Sequence, residues 1–215
     1  MLLASTSVKR LISPAPARIR QEKRFFRSIR SVLAEFISNR FNFERVATLG
    51  PDLACLEWLM ECGATKVEMS DGTVIKRISE MKSYIKNFGL NGRETVDASD
   101  SAISDSGFLY FRECYGIEEL ILNFCDYFGD EAIRILATGR TAYSLKNLEI
   151  VMNPCVSDVS IYWIVRMKKL RRIHMYFLPY ISNPVAASRH LKLALPKCNV
   201  TFPSVGKVGF GYGTK

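Results

Sequence analysis

Residues 117–136 read IEELILNFCDYFGDEAIRIL: an apolar run, a cysteine, a Gly-Asp pair and a second apolar run. Counting from Cys125 as zero, apolar residues fall at −8, −5, −3, +3 and +8 (Ile117, Leu120, Leu122, Phe128, Ile133), with Asp130 at +5. The same template laid on Asn153 finds Leu145, Leu148, Ile150, Val156 and Ile161, with Asp158 at +5. Laid on Leu178 it finds Leu170, Ile173, Met175, Ile181 and a smaller Ala186, with Asn183 at +5. Around Asp100 the second half fits through Ile103, Asp105 and Phe108 while the strand half, TVDASD, is degenerate; Leu195, Cys198 and Val200 supply a final half. Weak terminal units are expected of a stack whose ends must be capped.

This is the pattern of a leucine-rich repeat. The alternating apolar pair points inward from a short strand, and the Asn/Cys position takes a small side chain that turns inward to bond loop backbone. The spacing therefore predicts an α/β solenoid, with parallel strands on the concave face and helices on the convex one. Asp105, Asp130, Asp158 and Asn183 are each expected to cap the helix that follows them, with Pro184 in the favoured first helical position.

Upstream the period is absent. Ile29, Val32, Leu33, Phe36 and Ile37 form one helical stripe, followed by a turn near FNFE. GPDLACLEWLMECG reads as a helix, with Pro51 in its first turn, Asp52 and Glu57 toward its N-terminal end and Gly63 as its stop. TKVEM and TVIKRI flank Ser70-Asp71-Gly72 as a hairpin signal, and SEMKSYIKNF adds helical turns. The organisation expected is a leader at 1–30, a small N-terminal α+β cap region at 31–91, repeats at 92–202 and a disordered Gly-rich tail at 203–215.

The net charge of +9 is concentrated: residues 1–30 carry eight Lys and Arg against the single acid Glu22. Such an acid-poor, Arg- and Ser-containing leader fits a mitochondrial transit peptide, and its charge removes the main argument for nucleic-acid binding. No apolar run is long enough to span a membrane. The six cysteines lack CxxC spacing and read as core residues. Cys125 beside Asp126 has no adjacent cation to activate it. His174 and His190 lie in no nucleophile motif, and no phosphate-binding loop opens a helix. The expectation is a protein that is not an enzyme. The outward side of the strands carries Ile121, Asn123, Phe124, Glu149, Val151, Met152, His174, Tyr176 and Phe177, apolar enough to need cover from the N-terminal helices or from a partner.

GPDLACLEWLMECGA, the hairpin-like segment, VDASDSAIS and the cysteine-containing repeats together resemble the mitochondrial ATP synthase coupling factor B (subunit s) family over about residues 43–202. They resemble its paralogue, the distal membrane-arm assembly component 2 of respiratory complex I, as well. EWLMECGA is nearer the first; LPYISNP and LPKCNV are at least as near the second. The resemblance implies a non-enzymatic protein on the matrix side of the inner membrane, whose partners are subunits of an oxidative-phosphorylation complex. Its role would be in ATP synthase proton conduction and coupling, or alternatively in complex I assembly. It also implies a Mg²⁺ contact at Gly63 and Ser99, where Ser replaces the family's Thr. A remoter alternative is an F-box-type ubiquitin-ligase adaptor, whose repeats look alike but which the basic leader disfavours.

Overall fold

The computed structural model describes residues 39–87 and 94–203. The leader, the stripe at 29–37 and the Gly-rich tail lie outside the described residues. The first element described is α1 (Phe43–Leu49), where the sequence indicates only a turn. The Asn42 side chain accepts from Arg45 N, and Gly50, at φ +82°, ends the helix. None of its residues is fully buried, and only Val46 and Leu49 pack partly against the core, too short a stripe to announce a helix.

Helix α2 (Pro51–Glu61) is the opposite case, with every residue from Asp52 to Met60 buried. Trp58 stacks on Tyr110 at a centroid distance of 5.2 Å, and Glu57 holds Arg45 through two bonds of 2.6 Å. The expected hairpin is present as β1 (Lys66–Glu68) and β2 (Val74–Ile75), followed by α3 (Ile78–Asn87). Asp71 Oδ1 accepts from Thr73 N and tightens the turn.

Five further strands, β3 (Glu94–Asp97), β4 (Ile117–Ile121), β5 (Asn147–Val151), β6 (Arg172–Tyr176) and β7 (Asn199–Thr201), complete one seven-stranded sheet ordered β2-β1-β3-β4-β5-β6-β7. β3 to β7 are parallel, and β1 is antiparallel to both its neighbours. The degenerate TVDASD segment therefore does supply a strand. Between strands the chain returns through a 3-10 helix (Asp105–Arg112), α4 (Asp130–Thr138) with a short 3-10 helix (Arg140–Tyr143), α5 (Asp158–Ile164) and α6 (Pro184–Ala194). The register puts Ile75, Val67, Val96, Leu120, Leu148, Ile173 and Val200 in one row across all seven strands, each buried.

In two coils the turn after the strand is closed by the side chain of the residue the template counts from. Asn153 Oδ1 accepts from Cys155 N at 2.7 Å and Val156 N at 2.9 Å, while its Nδ2 donates to the carbonyls of Cys125 and Phe128 in the preceding coil. Cys125 Sγ donates to Ala98 O one coil earlier still.

The aspartates correct the expectation drawn from their spacing. Asn183 caps its own helix, accepting from Ala186 N, but Asp105, Asp130 and Asp158 are the first residues of theirs and reach forward instead. Asp105 Oδ1 accepts from Gly129 N and Ala132 N at the start of α4. Asp130 takes Ser157 N and the hydroxyls of Ser157 and Ser160 at α5, and Asp158 takes Ser182 N and Oγ before α6. A side chain at the first helical position cannot fold back onto its own turn as an N-cap can, but it stands beside the exposed N–H groups of the coil stacked next to it.

Asn153 satisfies four backbone groups in two coils. Asn153→Ala leaves them buried and unpaired and is expected to cost about 3 kcal/mol or more, read as a lowered urea midpoint with an unchanged m-value. Cys125→Ala should cost no more than about half of that, because a thiol bonds weakly.

Candidate interaction surface and metal position

The nine outward residues divide into two zones. Ile121, Glu149 and His174 lie in register across β4 to β6, with Val151 opposite Tyr176. Polar bonds tie this zone together. Asn123 Nδ2 donates to Glu149 Oε1 at 2.7 Å, and His174 Nδ1 lies 2.8 Å from Thr201 Oγ1. Arg172 stands 3.9 Å from Glu149. Asn123 Oδ1 is buried with no hydrogen-bond partner.

The second zone is a ridge just past the strand ends. Phe124, Met152 and Phe177 are 52%, 41% and 43% exposed, and their φ angles are +58°, +54° and +50°. Asp100 takes the same conformation, φ +56°, in the first coil. The left-handed turn has a local cause at three of the four positions, where the residue leaves the sheet while its N–H still donates to the next coil, Asp100 to Asn123 O, Phe124 to Val151 O and Met152 to Tyr176 O. Without glycine this conformation costs about 1 kcal/mol per residue. Successive strands being about 4.8 Å apart, the three large side chains form one narrow apolar line.

Cys125 lies beneath the ridge and is buried, which raises its thiol pKa and keeps it protonated. It is a turn residue and not an activated nucleophile.

Gly63 and Ser99 are brought together at the same end of the molecule. Gly63, at φ +94°, follows α2. Bonds from Ala102 N to Cys62 O and from Thr65 N to Asp97 O bracket the two positions. Asp97 Oδ1 accepts from Ser99 N and Ser99 Oγ, which fixes the hydroxyl. Burial drives the neighbouring Cys62 thiol up to about 12, so it offers no thiolate. The donors at hand are therefore oxygens, a carbonyl and a hydroxyl, the type that suits Mg²⁺ with water completing its shell. Among the described residues no group of three His, Cys, Asp or Glu side chains is placed to hold a metal ion.

Two features escape sequence reading. The left-handed row is one, because Phe and Met carry no signal for that conformation, unlike Gly or Asn. The other is a buried acid pair, Asp52 and Glu94; Asp52 reads as a helix N-terminal acid and Glu94 falls in no motif.

The two environments respond differently to truncation. Met152→Gly relieves the left-handed strain and removes an exposed side chain, so stability is expected to stay within about 1 kcal/mol of the parent. Leu148→Ala, in the buried row, should cost about 2–5 kcal/mol. Urea unfolding of both variants measures the contrast.

No protein-family model matches the chain. Among curated proteins it is 26% identical over 162 residues to the mitochondrial ATP synthase subunit s of Rattus norvegicus, covering 74% of this chain and 80% of that protein. Identity and coverage are the same for the Mus musculus protein, and identity is 23% over the same length for the Homo sapiens one. No helix among the described residues is long and apolar enough to cross a membrane. The chain is thus similar over most of its length to the mitochondrial ATP synthase subunit s proteins.

Proposed function

We propose that this chain is a non-enzymatic accessory protein of mitochondrial ATP synthase, peripheral to the matrix side of the inner membrane. In this reading its parallel coils are leucine-rich repeats, residues 1–30 are an import leader, 31–91 a cap region, 92–202 the repeats and 203–215 a tail. The observation that carries it is the extent of the similarity: 162 residues is longer than either the cap region or the repeat array alone, so both parts resemble subunit s. The ridge of Phe124, Met152 and Phe177, with Ile121, Val151 and Tyr176 behind it, is the docking surface. Asn123, Glu149 and His174 give that surface its polar flank. Large apolar side chains held exposed in one row are better explained by a partner than by folding.

The test is native electrophoresis of mitochondria expressing the full-length chain. Co-migration with ATP synthase is expected, and depletion should lower proton-coupled ATP synthesis. Replacing Phe124, Met152 and Phe177 by Glu should abolish co-migration while leaving the melting temperature within a few degrees. Migration with complex I intermediates instead would replace this reading by the assembly role.

Mg²⁺ bound at Gly63 O and Ser99 Oγ would stiffen the junction between α2 and β3 without taking part in chemistry. Ser99→Ala is expected to weaken Mg²⁺ binding at least about tenfold by calorimetry. A parent chain with no Mg²⁺ binding at millimolar concentration removes the ion from the reading.

A further inference from the structure

At the end of the sheet where β3 and β4 begin, opposite the ridge, two acids share a closed site. Glu94, the first residue of β3, is 1% exposed, and neither of its carboxylate oxygens has a hydrogen-bond partner. Asp52, in the first turn of α2, is 7% exposed. Its Oδ1 is already taken by three donors: Cys114 Sγ at 2.9 Å, Tyr115 N at 2.8 Å and Gly116 N at 2.7 Å. The two acids meet over Gly116. A Cβ there would lie 2.2 Å from Glu94 Oε2 and 3.1 Å from Asp52 Oδ1, so any larger residue would have to displace the Glu94 carboxyl. Glu94 N in turn donates to Gly116 O.

The groups facing Glu94 offer no compensation for a negative charge. Asp52 comes from α2, and the Cys114 thiol beside it is pushed well up by Cys55 and by burial and stays protonated. Glu118 comes from β4 and is paired with Lys146 at 2.8 Å, and Tyr84 from α3 has its hydroxyl on Asp71. Two carboxylates in one buried space do not both ionise readily. The one with three donors suits the charge, which leaves the unpartnered one to carry the proton.

We propose that Asp52 and Glu94 form a buried one-proton site that locks α2 to the start of β3 and β4, and that loss of this proton on alkalinisation loosens the junction. The site depends on the fold alone and stands whether or not the ridge docks on ATP synthase. Burial, and then the Asp52 charge, raise the Glu94 carboxyl from 4.5 to about 7. A carboxyl raised on folding binds its proton more tightly in the folded chain than in the unfolded one. Its stabilising contribution is therefore complete below pH 4.5 and is lost as pH rises through about 7.

The experiment combines urea unfolding of the full-length chain between pH 5 and pH 8.5 with carbon NMR of the Glu94 carboxyl. The unfolding equilibrium constant of the parent is expected to rise by up to about tenfold per pH unit between about 5 and 7, with the Glu94 resonance titrating in the same range. Glu94→Gln should flatten that rise, and Asp52→Asn should move the Glu94 titration down. A Glu94 carboxyl that titrates near its ordinary value in the parent overturns the proposal, whether or not the variants fold. So does a Glu94→Gln protein with the parent's pH slope.

Discussion

The row Ile75, Val67, Val96, Leu120, Leu148, Ile173 and Val200 is the constraint on which the rest depends. A one-residue slip between any two strands would turn the apolar set of one strand outward. Burying each such side chain contributes about 1.5–3 kcal/mol, so the register is fixed at every seam, including those that join the antiparallel hairpin to the parallel strands. Once the row is set, the outward zone and the ridge have no freedom of placement. Ile121 must stand beside Glu149 and Glu149 beside His174, and the residue that ends each strand must turn at the same height.

Hydrophobic burial fixes the strands but does not hold the coils at their turns. That task falls to polar side chains that each bond two coils. Asn153 joins its own turn to the carbonyls of Cys125 and Phe128, and Asp105, Asp130 and Asp158 each supply acceptors to the helix start of the next coil. These contacts link neighbours only, which gives the array the one-dimensional character of a stacked structure. Asn183 caps its own helix instead, accepting from Ala186 N at the last helix of the array.

The strand-turn-helix period was legible because three coils repeat the same apolar positions, and the inward Cys125 and Asn153 followed from the period. What a spacing does not encode is direction. An aspartate at +5 reads the same whether it caps its own helix or the next, and only the stacking geometry distinguishes the two. Helix α1 was missed because it is only seven residues long and no more than Val46 and Leu49 pack, in part, against the core. Of the outward surface, the identity of the nine residues was legible but not their division. The polar zone depends on cross-strand bonds such as Asn123 to Glu149, and the ridge on a backbone conformation that Phe and Met do not advertise. Glu94 was hidden for a related reason. Its partners Asp52 and Gly116 are far from it in sequence, so nothing local marks that acid as buried.

Helix α2 lies between the buried acid pair and the Gly63–Ser99 corner. Its first turn holds the start of β4 through Asp52 and Gly116, while beyond its last turn Cys62 O accepts from Ala102 N, just past the end of β3. Eleven residues of helix span about 16 Å, comparable to the length of a five-residue strand. All its faces are packed, with Trp58 stacked on Tyr110 and set edge-on to Phe111 of the first coil. A helix immersed in this way moves as a unit or not at all, because sliding one end opens cavities along its whole length. The acid pair at one end and the Gly63–Ser99 corner at the other are therefore held by the same rigid element, and that corner adjoins Asp100, the first member of the left-handed row.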